Sequence, residues 1–342
     1  MTSVKKQVVI VSPALADANN GNWQTARRWQ KFLQTPTASH PSFQTRIVTQ
    51  WPDGPAAAQD SAMVALHARR SAASIMAWAQ SRGDVRTIQP VPSLAVVLTG
   101  TDLYRDILTD MQAQCSLQWA QRLVVLQTLG LAALPATLQA RAQVIFQSTP
   151  ARQSLPKSDH FLRAVMVGHL REEKSPQTLF ATARLLKSQE AIHIDHIGAA
   201  LDPALALQAQ ATAAACPGYR WLGALPQEAT RRRIQRAHVL VHTSRMEGGA
   251  HVVMEAVRSG TPVLASRIDG NVGMLGADYT GYFDWDIAPQ LVDLLRRCRH
   301  DPGFMAHLKA QCAARAPLFA PEAERLAVKQ LVTELTAAQP RM

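Results

Sequence analysis

The sequence predicts an α/β protein made of two parallel-sheet domains. Three observations carry this. Short apolar runs such as Val8–Val11, Leu94–Leu98 and Val239–His242 alternate with longer helix-like segments, the βα rhythm from which parallel sheets are built. At 342 residues the chain exceeds what one compact core usually holds. Between Gln147 and Arg163, the stretch STPARQSLPKSDHF has two prolines and few apolar side chains, as interdomain linkers do. The expected division is a first domain over 1–148, a linker over 149–163, a second domain over 164–318 and a last helical segment over 319–342.

Composition narrows the class. Apolar residues make up 47% of the chain, yet no apolar run approaches the roughly 18 residues of a membrane span. Val8–Val11 is followed at once by Ser12-Pro13 and polar residues, which does not read as a secretory signal. Cys115, Cys216, Cys298 and Cys312 are scattered, with no C-x2-C pair, so a reduced, cytoplasmic protein without a structural metal is expected. Net charge is +11 and uneven: residues 1–163 hold 16 Lys and Arg against 8 Asp and no Glu. A basic first half suits an anionic small molecule, an acidic membrane surface or nucleic acid. Nucleic acid fits least, because the cations come in ones and twos without interleaved aromatic residues.

Taken in order, Val8–Ser12 is a buried first strand, and Asn19-Asn20-Gly21-Asn22 leads into a helix with Trp23, Ala26 and Trp29. A strand, a Gly/Asn loop and a helix bring backbone amides close to an anion, although neither G-x-G-x-x-G nor G-K-[ST] is present. Thr45–Thr49 is a second strand, closed by the turn Trp51-Pro52-Asp53-Gly54. Met63–Leu66 is a third, and His67-Ala68-Arg69-Arg70-Ser71 opens the next helix. Two arginines at a helix start form a candidate oxyanion clamp, and His67 is a candidate base or positioning group. Leu94–Leu98 runs into Thr99-Gly100-Thr101-Asp102, and Leu123–Leu126 and Val144–Phe146 complete the first sheet.

The second half restarts with Val165–Gly168 and the loop His169-Leu170-Arg171-Glu172-Glu173-Lys174. His193–Ile197 and Tyr219–Leu222 follow, then a helix whose Arg231-Arg232-Arg233 reads as a solvated face. Val239–His242 runs into a loop with Glu247, Gly248, Gly249 and Ala250. A helix carrying Glu255 and the strand Val263–Ala265 complete a βαβ unit. Open α/β sheets bind ligands at such carboxyl ends, and Glu255, about one turn past His251, can share a crevice with Glu247. An ionised carboxylate is acceptor-only and suits a vicinal diol. Residues 286–299, 304–314 and 320 onward read as helices.

Glu247-x7-Glu255 followed by GTPVLAS resembles the donor-binding half of GT-B glycosyltransferases of family four. That resemblance implies two Rossmann-like parallel-sheet domains facing a cleft, with a C-terminal helix crossing back to the first. It implies a nucleotide-sugar donor bound by Gly168, His169, Lys174, Leu225, Glu247, Gly248, Gly249, Ala250 and Glu255. Within that set Glu247 meets the sugar, Glu255 the ribose, Leu225 the base and Lys174 the diphosphate. His169 stands at the family's arginine position, and Arg171 is taken as the replacement charge. Thr99 stands where the family has a histidine near the reacting centre, and a threonine is a poor base. The acceptor side then comprises Asn20, Gly21, Asn22, His67, Arg69, Arg70, Thr99 and Asp102. The catalytic group is Glu247, Lys174, Arg171 and Thr99, with no metal or cofactor.

Four stretches, Ser12–Ala26, His67–Ala72, Leu98–Tyr104 and Ser244–His251, are together similar to the selenosugar synthase branch of that family. This resemblance implies transfer of a hexose from UDP-GlcNAc or UDP-glucose to selenophosphate in selenoneine biosynthesis, with UDP and phosphate released. Its partners are then the enzymes that make selenophosphate and form selenoneine. Two alternatives stay open: a GT-B enzyme acting on a sugar or lipid hydroxyl, and a basic nucleic-acid-binding protein.

Overall fold

The computed structural model describes residues 5–14 and 21–337, which form two compact units, one of the described residues up to 147 together with 321–337, the other of 148–320. The sheet of the first unit is β1 (Gln7–Val11), β2 (Gln44–Val48), β3 (Asp60–Leu66), β4 (Leu94–Leu98), β5 (Arg122–Val125) and β6 (Ala142–Val144). All six are parallel, in the order β2-β1-β3-β4-β5-β6. The near-continuous apolar strands follow from burial on both faces. On one face Val9, Met63, Val96 and Leu123 pack on Ile75, Trp78 and Leu117 from helices Ala72–Arg82 and Met111–Trp119.

On the other face Val8, Ile10, Val64, Val97 and Val124 meet Ala26, Trp29 and Leu33 from helix Gly21–Gln34. The same face receives Val328, Leu331, Val332 and Leu335 from the last helix, Pro321–Thr336. Their spacing is that of an apolar helical stripe, and each large side chain so buried contributes about 2 kcal/mol. Glu324 of this helix is buried but paired: it accepts from Arg28 at 2.6 and 2.9 Å and from Trp29 Nε1 at 2.6 Å. A buried carboxylate is tolerated only with such partners.

The second unit is also an all-parallel sheet of six: β7 (Leu162–Val167), β8 (Ile192–Ile197), β9 (Tyr219–Trp221), β10 (Val239–His242), β11 (Val263–Ser266) and β12 (Tyr282–Phe283). Its order is β12-β11-β10-β7-β8-β9. Here the alternation in the sequence missed β12, a two-residue edge strand too short to show a period. The segment read as the interdomain linker is tied to the second unit. Arg152 N–H donates to Arg258 O at 3.0 Å, Leu155 N–H to Gln235 O at 3.2 Å, and the Arg152 guanidinium grips both oxygens of Glu228 at 2.8 and 2.7 Å. Two prolines suppressed helix and strand there without making the backbone free. No helix among the described residues is long and apolar enough to cross a membrane, and all four cysteines are free thiols.

Candidate active site

In the second sheet β7 and β10 are neighbours whose connections leave in opposite directions, so a crevice opens at their carboxyl ends. The loop after β7 crosses Gly168 and His169, makes a short turn at Glu172–Lys174, and reaches helix Pro176–Leu185 through left-handed Ser175 (φ 44°). It touches the next loop backbone to backbone: a Cβ on Gly198 would lie 1.9 Å from Gly168 O. The loop after β10 is stitched to it by Thr243 Oγ1 donating to Lys174 O at 2.7 Å. Arg245 N–H donates to Glu173 O at 3.0 Å, and an Arg245–Glu172 ion pair at 2.6 Å adds a third link.

These stitches bring Lys174 onto Glu247. The Lys174 ammonium donates to Glu247 Oε1, and His242 Nε2 lies 3.4 Å from the same oxygen. Glu247 Oε2 has no partner among the described residues. Burial works to raise the Glu247 pKa, but the adjacent Lys174 charge and His242 outweigh it and hold the carboxyl well below the usual carboxylate range. Behind the loop, a Cβ on Gly270 would lie 2.2 Å from Glu247 O, so only glycine lets helix Asp269–Leu275 start there.

The other residues expected on this side differ in what occupies them. Gly248 and Gly249 keep their backbone N–H groups without partners among the described residues, whereas the Ala250 N–H donates to Met274 Sδ at 3.2 Å. The Ala250 amide, unlike those two, is engaged within the second unit. His169 Nδ1 accepts from Ala199 N–H at 3.0 Å, and burial, Arg171 and Lys174 all lower its pKa. A neutral imidazole thus stands at the position where the family resemblance implied a cation. Arg171 is half-buried and its Nε has no hydrogen-bond partner. Leu225 is half-buried just after left-handed Gly223 (φ 66°).

Glu255, on helix His251–Val257, accepts from Arg231 Nε through Oε1 at 2.8 Å, and its Oε2 also has no partner among the described residues. The solvated reading of Arg231–Arg233 is corrected here. Arg231 is 22% exposed and turned to Glu255, and Arg233 reaches Asp195 at 3.3 Å. Arg232 alone fits it, at 68% exposed. Sequence reasoning therefore missed Arg231 and His242. The signals were present: a histidine closing an apolar strand, and an arginine three residues before buried Ile234 on helix Gln227–Arg236.

In the first unit the loops after β3 and β4 meet at Asp102, which is fully buried. Its Oδ1 accepts from Thr99 and Gly100 N–H and its Oδ2 from Ala68 N–H, each at 2.9 Å. The expectation that Asp102 touches an acceptor is corrected, since both oxygens are spent on backbone. A π-helical turn over Asp102–Asp106 follows it. His67, left-handed at φ 73°, takes the Arg70 N–H on Nδ1 at 3.2 Å and faces Thr101 Oγ1 with Nε2 at 3.1 Å. Burial lowers its pKa despite nearby Asp102, and its lone pair is occupied, so it positions this loop and is not free as a base.

Arg69 pairs with Asp110 at 2.6 Å, while exposed Arg70 has no ion-pair partner among the described residues. Thr99 is half-buried, Gly21 is exposed and Asn22 half-buried at the helix start, and Asn20 lies outside the described residues. No group of three or more His, Cys, Asp or Glu is set to hold a metal among the described residues.

Comparison with known proteins fits this arrangement. Residues 147–312, nearly all of the second unit, match the family described as Glycosyl transferases group 1. A curated relative, Glycosyltransferase 1 domain-containing protein 1 of Xenopus tropicalis, is 26% identical over 147 residues. That match covers 43% of this chain and 42% of the relative. Among solved structures, sucrose-phosphate synthase from Thermosynechococcus elongatus is 16% identical with a TM-score of 0.75, covering 98% of this chain and 100% of its own. Anabaena HepE, in complex with UDP and glucose, is 13% identical with a TM-score of 0.72, covering 96% and 99%. An Escherichia coli protein described as trehalose-6-phosphate bound with UDP-2-fluoro glucose is 10% identical with a TM-score of 0.68, covering 98% and 100%. The fold is therefore GT-B: two Rossmann-like parallel-sheet units.

Proposed function

We propose that the protein is a glycosyltransferase that binds a UDP-hexose, UDP-GlcNAc or UDP-glucose, in its second unit and transfers the sugar to selenophosphate. One observation carries the donor half. Glu247 and Glu255 are each tethered by a cation at Oε1 and open at Oε2, beside two amides without partners and a half-buried arginine. Tethered carboxylates suit hydroxyl-rich ligands, and amides with cations suit a diphosphate. The family match over 147–312 and structural relatives described with UDP or UDP-sugars support the same donor.

In this reading Lys174 passes from Glu247 to the donor diphosphate. There, with Arg171 and the amides of Gly248 and Gly249, it stabilises the charge that builds on the leaving group. Glu247 is then free to hold the sugar. Selenium donates its electron pair to the anomeric carbon as the carbon–oxygen bond to UDP breaks, and UDP leaves with the bonding electrons. Water then cleaves the selenium–phosphorus bond, giving phosphate and the selenosugar. An acceptor that arrives as an anion needs no base, which agrees with Thr99 at the histidine position and with His67 having its lone pair occupied. Arg70 supplies a positive group without a counter-ion for such an acceptor.

The test is an acceptor panel: selenophosphate, thiophosphate, phosphate and simple sugars, each with UDP-GlcNAc and UDP-glucose, read by mass spectrometry. A selenosugar with stoichiometric UDP is expected. A glycosylated hydroxyl product with no selenosugar overturns the acceptor half, and no product with any pair overturns the whole.

A further inference from the structure

We propose that Arg231 is a positioning residue that fixes Glu255 for the ribose of the bound nucleotide while leaving one carboxylate oxygen open to the vicinal diol. The proposal rests on the nucleotide-sugar reading above and deepens it. Arg231 belongs to helix Gln227–Arg236, outside the βαβ unit that carries both glutamates. Its Nε donates to Glu255 Oε1 at 2.8 Å, and the two side chains are 22% and 13% exposed.

The form of the contact decides between a tether and a plug. A guanidinium that blocks a carboxylate uses its two-pronged fork and takes both oxygens. Here a single N–H reaches a single oxygen, and Oε2 has no partner among the described residues. The neighbours agree. Thr149, Arg152, Ile234 and Ser259 line the same hollow, but Arg152 is clamped on both oxygens of Glu228 and does not compete for Glu255. Ser259 Oγ donates to Glu255 O at 2.6 Å, which fixes the backbone from which the side chain hangs.

A half-buried carboxylate is stabilised by a cation beside it, and a glutamate already ordered gives up less freedom when a ligand arrives. Oε2 accepts one hydroxyl and the remaining lone pair of Oε1 accepts the other, since an ionised carboxylate has about four acceptor sites.

The experiment titrates wild type, Arg231→Gln and Arg231→Lys with UDP and with 2′-deoxy-UDP by calorimetry, with thermal unfolding as a control. Wild type is expected to bind UDP about tenfold more tightly than the deoxy form, the size of one hydrogen bond to a charged acceptor. Arg231→Gln narrows that preference to about twofold by weakening UDP, and Arg231→Lys, a single-point cation, gives a value between. A merely structural arginine lowers both affinities together and leaves the ratio alone.

Tighter UDP binding by Arg231→Gln makes Arg231 a plug and overturns the proposal, as does an unchanged ratio in a folded variant. If Arg231→Gln does not fold, an Arg231→Lys ratio equal to wild type overturns it. Wild-type binding of UDP without ribose preference overturns the role of Glu255 and this inference with it. Failure of wild type to bind UDP overturns the donor reading itself.

Discussion

Asp102 and Glu247 are both largely buried carboxylates in loops that leave the carboxyl ends of parallel strands, one in each unit, yet they are held in opposite ways. Asp102 is held by three backbone N–H groups at 2.9 Å, which cannot let go without unfolding two loops. Glu247 is held by two side chains, Lys174 and His242, and the lysine stem rotates. Burial alone therefore does not mark a working carboxylate. On the proposed function, what marks it is a partner that can be exchanged for substrate.

The contrast is broken or sharpened by substitution. The largest effect is expected at the exchangeable partner: Lys174→Met should lower glycosyl transfer by about 100- to 1000-fold through loss of leaving-group stabilisation. Single-turnover rates check this, and a change below threefold would detach Lys174 from the chemistry. Next, Asp102→Asn should cost about 2–3 kcal/mol of unfolding free energy, because three charge-assisted hydrogen bonds lose their charge and one acceptor oxygen becomes a donor. Glu247→Gln should cost about 1 kcal/mol, since Lys174 swings into solvent, while weakening UDP-sugar binding. Denaturant melts beside calorimetry compare the two, and an exchange of the two phenotypes would refute the distinction.

The smallest effect is on acid stability. Glu247 stays ionised in the folded chain well below 4.5, where an unfolded glutamate takes up its proton. As pH falls past that value the unfolded state binds the extra proton, so stability falls. Its contribution is fully present above about pH 5.5 and is lost on acidification. In denaturant melts across pH, Glu247→Gln should flatten the stability curve below about pH 5, by no more than the roughly 1 kcal/mol that the substitution costs at neutral pH.

Much of the fold was legible because central strands buried on both faces, such as Val8–Val11, Met63–Leu66 and Leu94–Leu98, are continuous apolar runs between polar loops. The loop positions of Glu247, Lys174 and Gly249 at strand ends were legible because strand-end loops are local in sequence. Arg231 and His242 were not, because their roles depend on which face of a helix or strand meets a residue from another element. Asp102 was read as a ligand group because sequence shows the carboxylate and hides the three amides that occupy it. The docking of residues 149–161 was hidden for the same reason, since nothing local in a proline-containing stretch announces a surface to bind to.

The stripe Val328, Leu331, Val332 and Leu335 closes one face of the first sheet, although it lies almost two hundred residues beyond β6, the last strand of that sheet. The first unit is thus discontinuous in the chain, and the second is a single uninterrupted stretch. During synthesis the second unit can complete its own core while one face of the first sheet still lacks this stripe. A gene fragment stopping at residue 147 makes a sheet with one face only partly covered, by helix Gly21–Gln34, and so prone to aggregate, whereas one covering 148–320 encodes every strand and helix of its unit.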